Sequence, residues 1–126
     1  MKILKVDPGK VPEVTEIENC LEAMQSIVGG LIQAVYPFED AVAMVVNEEG
    51  KLMGLELNRA LRNPKSGVIY DVVCGTFFLC GASTDSENFT DLTEEQLVRY
   101  TDYYKDPEVF IKAELGLAVI KKKGER

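Results

Sequence analysis

Histidine is absent from this chain, and so is tryptophan. Without histidine there is no Ser-His or Cys-His nucleophile pair, no imidazole acid–base chemistry and no common catalytic zinc set. Cysteine is scarce. Cys20, Cys74 and Cys80 make an odd number with no Cys-x-x-Cys spacing, which argues against a disulfide framework and against a zinc knuckle. Cys20 is expected on the apolar face of a helix, and Cys74 and Cys80 on one face of a strand, as small buried hydrophobes. No apolar run approaches the roughly 18 residues that a membrane span needs. The start, Met1-Lys2-Ile3-Leu4-Lys5-Val6-Asp7, alternates charge too early for a signal peptide. No Gly-rich phosphate loop and no helix-spaced acid pair stands out, since Gly29-Gly30 closes a helix pattern instead of opening one. The reading is a cytoplasmic, non-enzymatic protein with no cofactor and no metal.

What is present suffices for one folded domain. The chain has 126 residues and 46% hydrophobic content, enough to bury a core. Its net charge is −7, and four of the 14 basic residues but one of the 21 acidic ones fall in the last six positions. The first 120 residues therefore carry −10, a body that repels phosphate backbones and disfavours nucleic-acid binding. The tail Lys121-Lys122-Lys123 reads as a solvated end.

The hydrophobic pattern predicts an α+β fold with a small, mainly antiparallel sheet. Ile3 to Val6 is a strand, Asp7-Pro8-Gly9-Lys10 a turn, and Val11 to Val14 a returning edge strand that tolerates Pro12. Thr15-Glu16-Ile17-Glu18 has capping-box spacing, and the 3.6 period from Ile17 to Val28 predicts a helix over about 16–29. Leu31–Tyr36 and Ala41–Val46 are paired strands. A second box, Thr93-Glu94-Glu95-Gln96, with Leu92 and Leu97 at staple spacing, opens a helix over about 94–104. Val68 to Gly81 is apolar on both faces and belongs in mid-sheet, with Gly75 at a bulge or close approach. Pro107 predicts a short helix, although alternate apolar residues from Val109 to Val119 also suit a strand. The expected division is one domain over 1–105 and a C-terminal extension over 106–126 with the basic tail.

The candidate site is the block from Asn47 to Arg62. Asn47-Glu48-Glu49-Gly50 is expected to turn between Ala43–Val46 and a returning strand at Lys51–Met53, with Gly50 at a positive backbone angle. Asn58 to Arg62 is expected to form a helical turn capped by Asn58. Asn47, Asn58, Arg59, Arg62 and Asp71 are the candidate ligand-binding residues, because arginine forks match phosphate and carboxylate oxygens. The competing reading has the two arginines pairing on the surface with Glu48, Glu49, Glu56 or Asp71.

Several segments resemble a known family in their order and spacing. They are Val6, Pro8, Gly9 and Lys10, then Glu16-Ile17-Glu18 with Leu21, Met24, Gln25, Ile27, Val28, Gly29 and Gly30. They continue with Asn47-Glu48-Glu49-Gly50-Lys51-Leu52, Asn58-Arg59 with Leu61, and Gly75-Thr76-Phe77-Phe78-Leu79 with Gly81. The last is Phe89-Thr90 with Leu92-Thr93-Glu94-Glu95-Gln96. The chain resembles the domain of unknown function 3846, small proteins of gut Firmicutes, their phages and conjugative elements. The resemblance covers about residues 1–104 and implies a mobile-element setting, often near genes that counter host defence, but no catalytic residue. The expected function is a non-catalytic binding or accessory protein acting on another protein, of which nucleic-acid mimicry by the acidic surface is a special case. The alternative is a binder of a small anionic ligand or nucleotide through Asn58, Arg59 and Arg62.

Overall fold

The structure is a computed structural model and describes residues 1–85, 87–113 and 116–122. The basic tail from residue 123 onward, and Leu115 of the alternating stretch, lie outside the described residues.

Strand β1 (Lys2–Val6) turns at Gly9, whose φ is 73°, and meets β2 (Glu13–Glu16) antiparallel, with Leu4 opposite Val14. Here the first capping box fails. Thr15 and Glu16 pair with Ile3 and Lys2 in the ladder, and the Ile17 amide donates to the Met1 carbonyl at 3.0 Å. Several backbone bonds in the ladder outweigh one reciprocal cap. Helix α1 therefore begins at Leu21 and runs to Val28, with half-buried Cys20 as an N-cap whose side chain caps nothing. Cys20 is thus not on the helix's apolar face. Gly29 closes the helix in the left-handed conformation.

β3 (Ile32–Val35) and β4 (Val42–Asn47) pair as expected, Gln33 opposite Val46. The block that follows departs from expectation. Lys51–Met53 is not a returning strand: the chain coils through 48–54 with bonds from the Met53 amide to Glu49 and the Leu55 amide to Gly50. The positive φ belongs to Gly54, at 67°, while Gly50 is needed because a Cβ there would stand 2.7 Å from the Cys74 carbonyl oxygen. Asn58 to Arg62 is not a helical turn either. Leu57–Arg62 is strand β5, paired antiparallel with β6 (Ile69–Cys74) in a two-stranded ribbon.

The long apolar run splits at Gly75, φ 86°, where a Cβ would press on the Leu55 side chain. Its second half, β7 (Phe77–Ala82), lies in mid-sheet as expected, between β1 and β4. Cys74 and Cys80 consequently sit on different strands, both buried, and burial pushes the Cys80 thiol up to about 12. β8 (Phe89–Thr90) adds to the end of β7, and Thr93 and Gln96 form the reciprocal capping box of α2 (Glu94–Tyr103). Among the described residues no helix follows Pro107. The period-two pattern prevails, and β9 (Glu108–Ala113) and β10 (Gly116–Lys121) make an antiparallel hairpin.

The main sheet runs β2-β1-β7-β4-β3, every pair antiparallel, with β8 beside β7. Alternation divides the core across it. Ile3, Ala43, Val45, Phe78 and Cys80 face α1 through Met24 and Val28. Leu4, Val6, Val42, Met44, Val46, Phe77 and Leu79 face the opposite layer, made of α2 and the β5–β6 ribbon. The fold is α+β, and the ribbon that carries Asn58, Arg59, Arg62 and Asp71 lies on the α2 face, whereas Asn47 ends β4 on the side of α1.

Candidate functional site

Arg59 and Asn58 are fully buried. The Asn58 side-chain amide donates to the carbonyls of Val6 at 2.9 Å and Gly75 at 2.8 Å, and its Oδ1 accepts from Arg59 Nη1 at 2.9 Å. Arg59 Nη2 donates to Lys10 O at 2.7 Å and Tyr104 O at 2.9 Å. Two residues thus bind the end of β1, the β1–β2 connection, the Gly75 link and the end of α2. The helix C-terminus is a favourable place for a cation, because the unpaired carbonyls there carry partial negative charge. Burial lowers the Arg59 pKa and the charge of Glu108 opposes that shift. Both terminal nitrogens of Arg59 already donate to the protein, so the guanidinium is not presented to an anionic ligand. Nε of Arg59 is buried and has no partner among the described residues.

Arg62 does not pair with Asp71 or a turn glutamate. Its Nη2 meets Glu108 Oε1 at 2.6 Å, in a pair with side-chain exposures of 20% and 2%, and that bond raises the Arg62 pKa. Glu108 Oε2 also accepts from the Ala60 amide at 3.3 Å. The C-terminal hairpin is therefore anchored to the ribbon by a buried carboxylate.

Asp71 is exposed and pairs with Lys51, and its Oδ1 accepts from the Val72 amide at 2.8 Å. Burial tends to raise its pKa, but the Lys51 and Val72 bonds leave it lowered. Asn47 is buried: its Nδ2 donates to Val28 O at 3.1 Å and its Oδ1 accepts from the Glu49 amide at 2.8 Å, tying the end of α1 to the turn. The five candidates thus do not converge. Asn58 and Arg59 form one knot, Arg62 faces Glu108, and Asn47 and Asp71 border a separate groove.

That groove, about 400 Å³, lies between the β6 edge and the front of β3 and β4. Val35, Val46, Leu61 and Val73 give it apolar walls, and Gln33, Glu48, Lys51 and Asp71 its polar ones. Leu52, 86% exposed, stands at the rim. Sequence reasoning missed Glu108 and Lys51 as partners of the candidate residues. The alternation after Pro107 is the signal that would have made Glu108 the first residue of a strand. It also missed Asp40, whose carboxylate accepts from Ala41 N, Gln96, Arg99 and Tyr100 and joins the β3–β4 connection to α2.

Among the described residues no group of three or more Cys, Asp or Glu side chains is placed to hold a metal ion, and no helix is long and apolar enough to cross a membrane. No curated protein and no solved structure matches the chain. One family model, described as a domain of unknown function (DUF3846), matches residues 1–105. The match ends just before the Asp106-Pro107 break, and with most of its length covered the chain belongs to the domain of unknown function 3846 family.

Proposed function

We propose that this protein is a non-catalytic binding protein that acts by contact with another protein, as an accessory factor of a phage or other mobile element. The observation that carries the reading is a run of exposed apolar side chains beside the groove. Val68, Ile69 and Tyr70 are consecutive and 63%, 41% and 59% exposed, and Leu52 at the groove rim and Met53 beside it in sequence are exposed as well. Large apolar side chains left exposed on two segments that the Lys51–Asp71 pair brings together are a common mark of an interaction surface. The buried arginines act in a different capacity, since they hold the fold together.

Affinity capture from the natural host tests this reading. The wild-type protein should retain a defined partner that Tyr70→Lys releases while the circular dichroism spectrum stays unchanged. Capture equal to that of an unrelated acidic protein, across several salt conditions, would count against it.

A further inference from the structure

One strand edge beside the groove, that of β6, is open short of Cys74, whose carbonyl packs against Gly50. The Ala60 amide donates to Glu108, away from β6. In an antiparallel ladder, opposed residues alternate between pairs that exchange bonds and pairs whose amides and carbonyls point outward. Ala60 stands opposite Val72, so theirs is an outward pair, and Val72 presents its N–H and C=O to the side away from β5. No strand pairs with that side among the described residues. The Val72 amide is met by the Asp71 carboxylate, which Lys51 holds from the turn after β4. A charged side chain folded over an edge is a recurring way to keep it from unwanted pairing.

We infer that the groove takes an extended segment of a partner protein, which adds to β6 as a third strand of the ribbon and displaces Asp71 from the Val72 amide. The inference rests on the protein-binding reading above and names the mode and chemistry of the partner. A strand laid about 4.8 Å from β6 would cover the front of β3, where exposed Gln33 and half-buried Val35 line the groove. Its alternate side chains would meet Val35, Val46 and Val73 on one face, so those positions are apolar. The remaining positions are lysine or arginine. Lys51 and Asp71 cancel each other at the groove mouth, and the carboxylates of Glu48 and Glu49 make no described bond. With a net charge of −7, the molecule attracts a basic segment and repels a second copy of itself.

A fluorescent peptide of about seven residues, alternating valine and lysine, is the probe, read by anisotropy and by amide hydrogen exchange of the full chain. The peptide should bind saturably and slow exchange at Val72. Replacing its lysines with glutamates should weaken binding by about tenfold or more, and so should N-methylating its central amides, which removes ladder donors. The charge-neutral double substitution Lys51→Ala with Asp71→Ala frees the Val72 amide and should tighten binding roughly threefold to tenfold. Binding that ignores N-methylation, or that protects amides away from β6, overturns strand addition and leaves the protein-binding reading standing. Absence of binding by the peptide to both wild type and double variant overturns the groove as a basic-strand site. A dimer in sedimentation with Val72 already protected, in the absence of peptide, overturns it in favour of a second copy. Failure of the host capture experiment, by contrast, removes the underlying reading itself.

Discussion

Arg59 shows how a residue type can be recognised in a sequence while its role is not. Its charge and the neighbouring Asn58 suggest an anion grip, and the structure turns both inward onto backbone carbonyls. No local signal distinguishes the two outcomes, because the acceptors come from Lys10 and Tyr104, 49 and 45 positions away. Replacing Arg59 with methionine leaves the buried Asn58 Oδ1 and Tyr104 carbonyl without this donor and should cost about 2–4 kcal/mol in urea denaturation. Arg59→Lys should recover less than half of that loss, since a single ammonium cannot reproduce the planar fork. Asp40 gives a prediction in pH. Burial tends to raise its pKa, yet the bonds from Tyr100, Ala41 and Gln96 and the charge of Arg99 leave it lowered. A carboxylate lowered on folding stabilises the protein above its unfolded value of about 3.9, and that stability is lost as pH falls through the folded value. The wild type should therefore lose stability below about pH 4 more steeply than Asp40→Asn, as measured by melting temperature against pH. Equal slopes would remove Asp40 from the account.

At the scale of elements, local signals succeed where the tertiary structure agrees with them. Thr93 and Gln96 form the reciprocal cap that their spacing announces, and Leu92 and Leu97 both enter the core. Thr93→Ala should cost about 1 kcal/mol. Thr15 has equivalent spacing and loses it to the β1–β2 ladder. Asn58 to Arg62 has helix-compatible residues but is drawn into the ribbon by pairing with β6. After Pro107, period-two alternation was the better guide than the helix-start signal, because Glu108 has a buried anchor point on the ribbon. Glu108→Ala should therefore destabilise the whole domain by about 2–3 kcal/mol, somewhat less than a fully buried pair because Arg62 keeps some contact with water. A change confined to local fraying of β9 and β10 in hydrogen exchange, with global stability intact, would show the hairpin to be an independent appendage.

The described residues form one main antiparallel sheet with α1 on one face, a layer on the other that α2 and the β5–β6 ribbon fill incompletely, and the β9–β10 hairpin anchored to the ribbon. The two-faced core was legible from sequence at β7, whose run is apolar at both odd and even positions, while β1 and β4 were legible as strands without their faces. The groove was not legible, because it arises where the ribbon stops short of β3, a matter of three-dimensional placement that no periodicity encodes. That groove and the open β6 edge are the centre of the account. A photo-reactive amino acid placed at Val72, and separately at the exposed Val98 of α2, tests it most directly when each variant is illuminated in extract of the natural host. Strand addition at β6 predicts a specific crosslinked partner from position 72, with the crosslink mapping to an extended basic segment, and none from position 98. A partner captured from position 98 and absent from position 72 would contradict it.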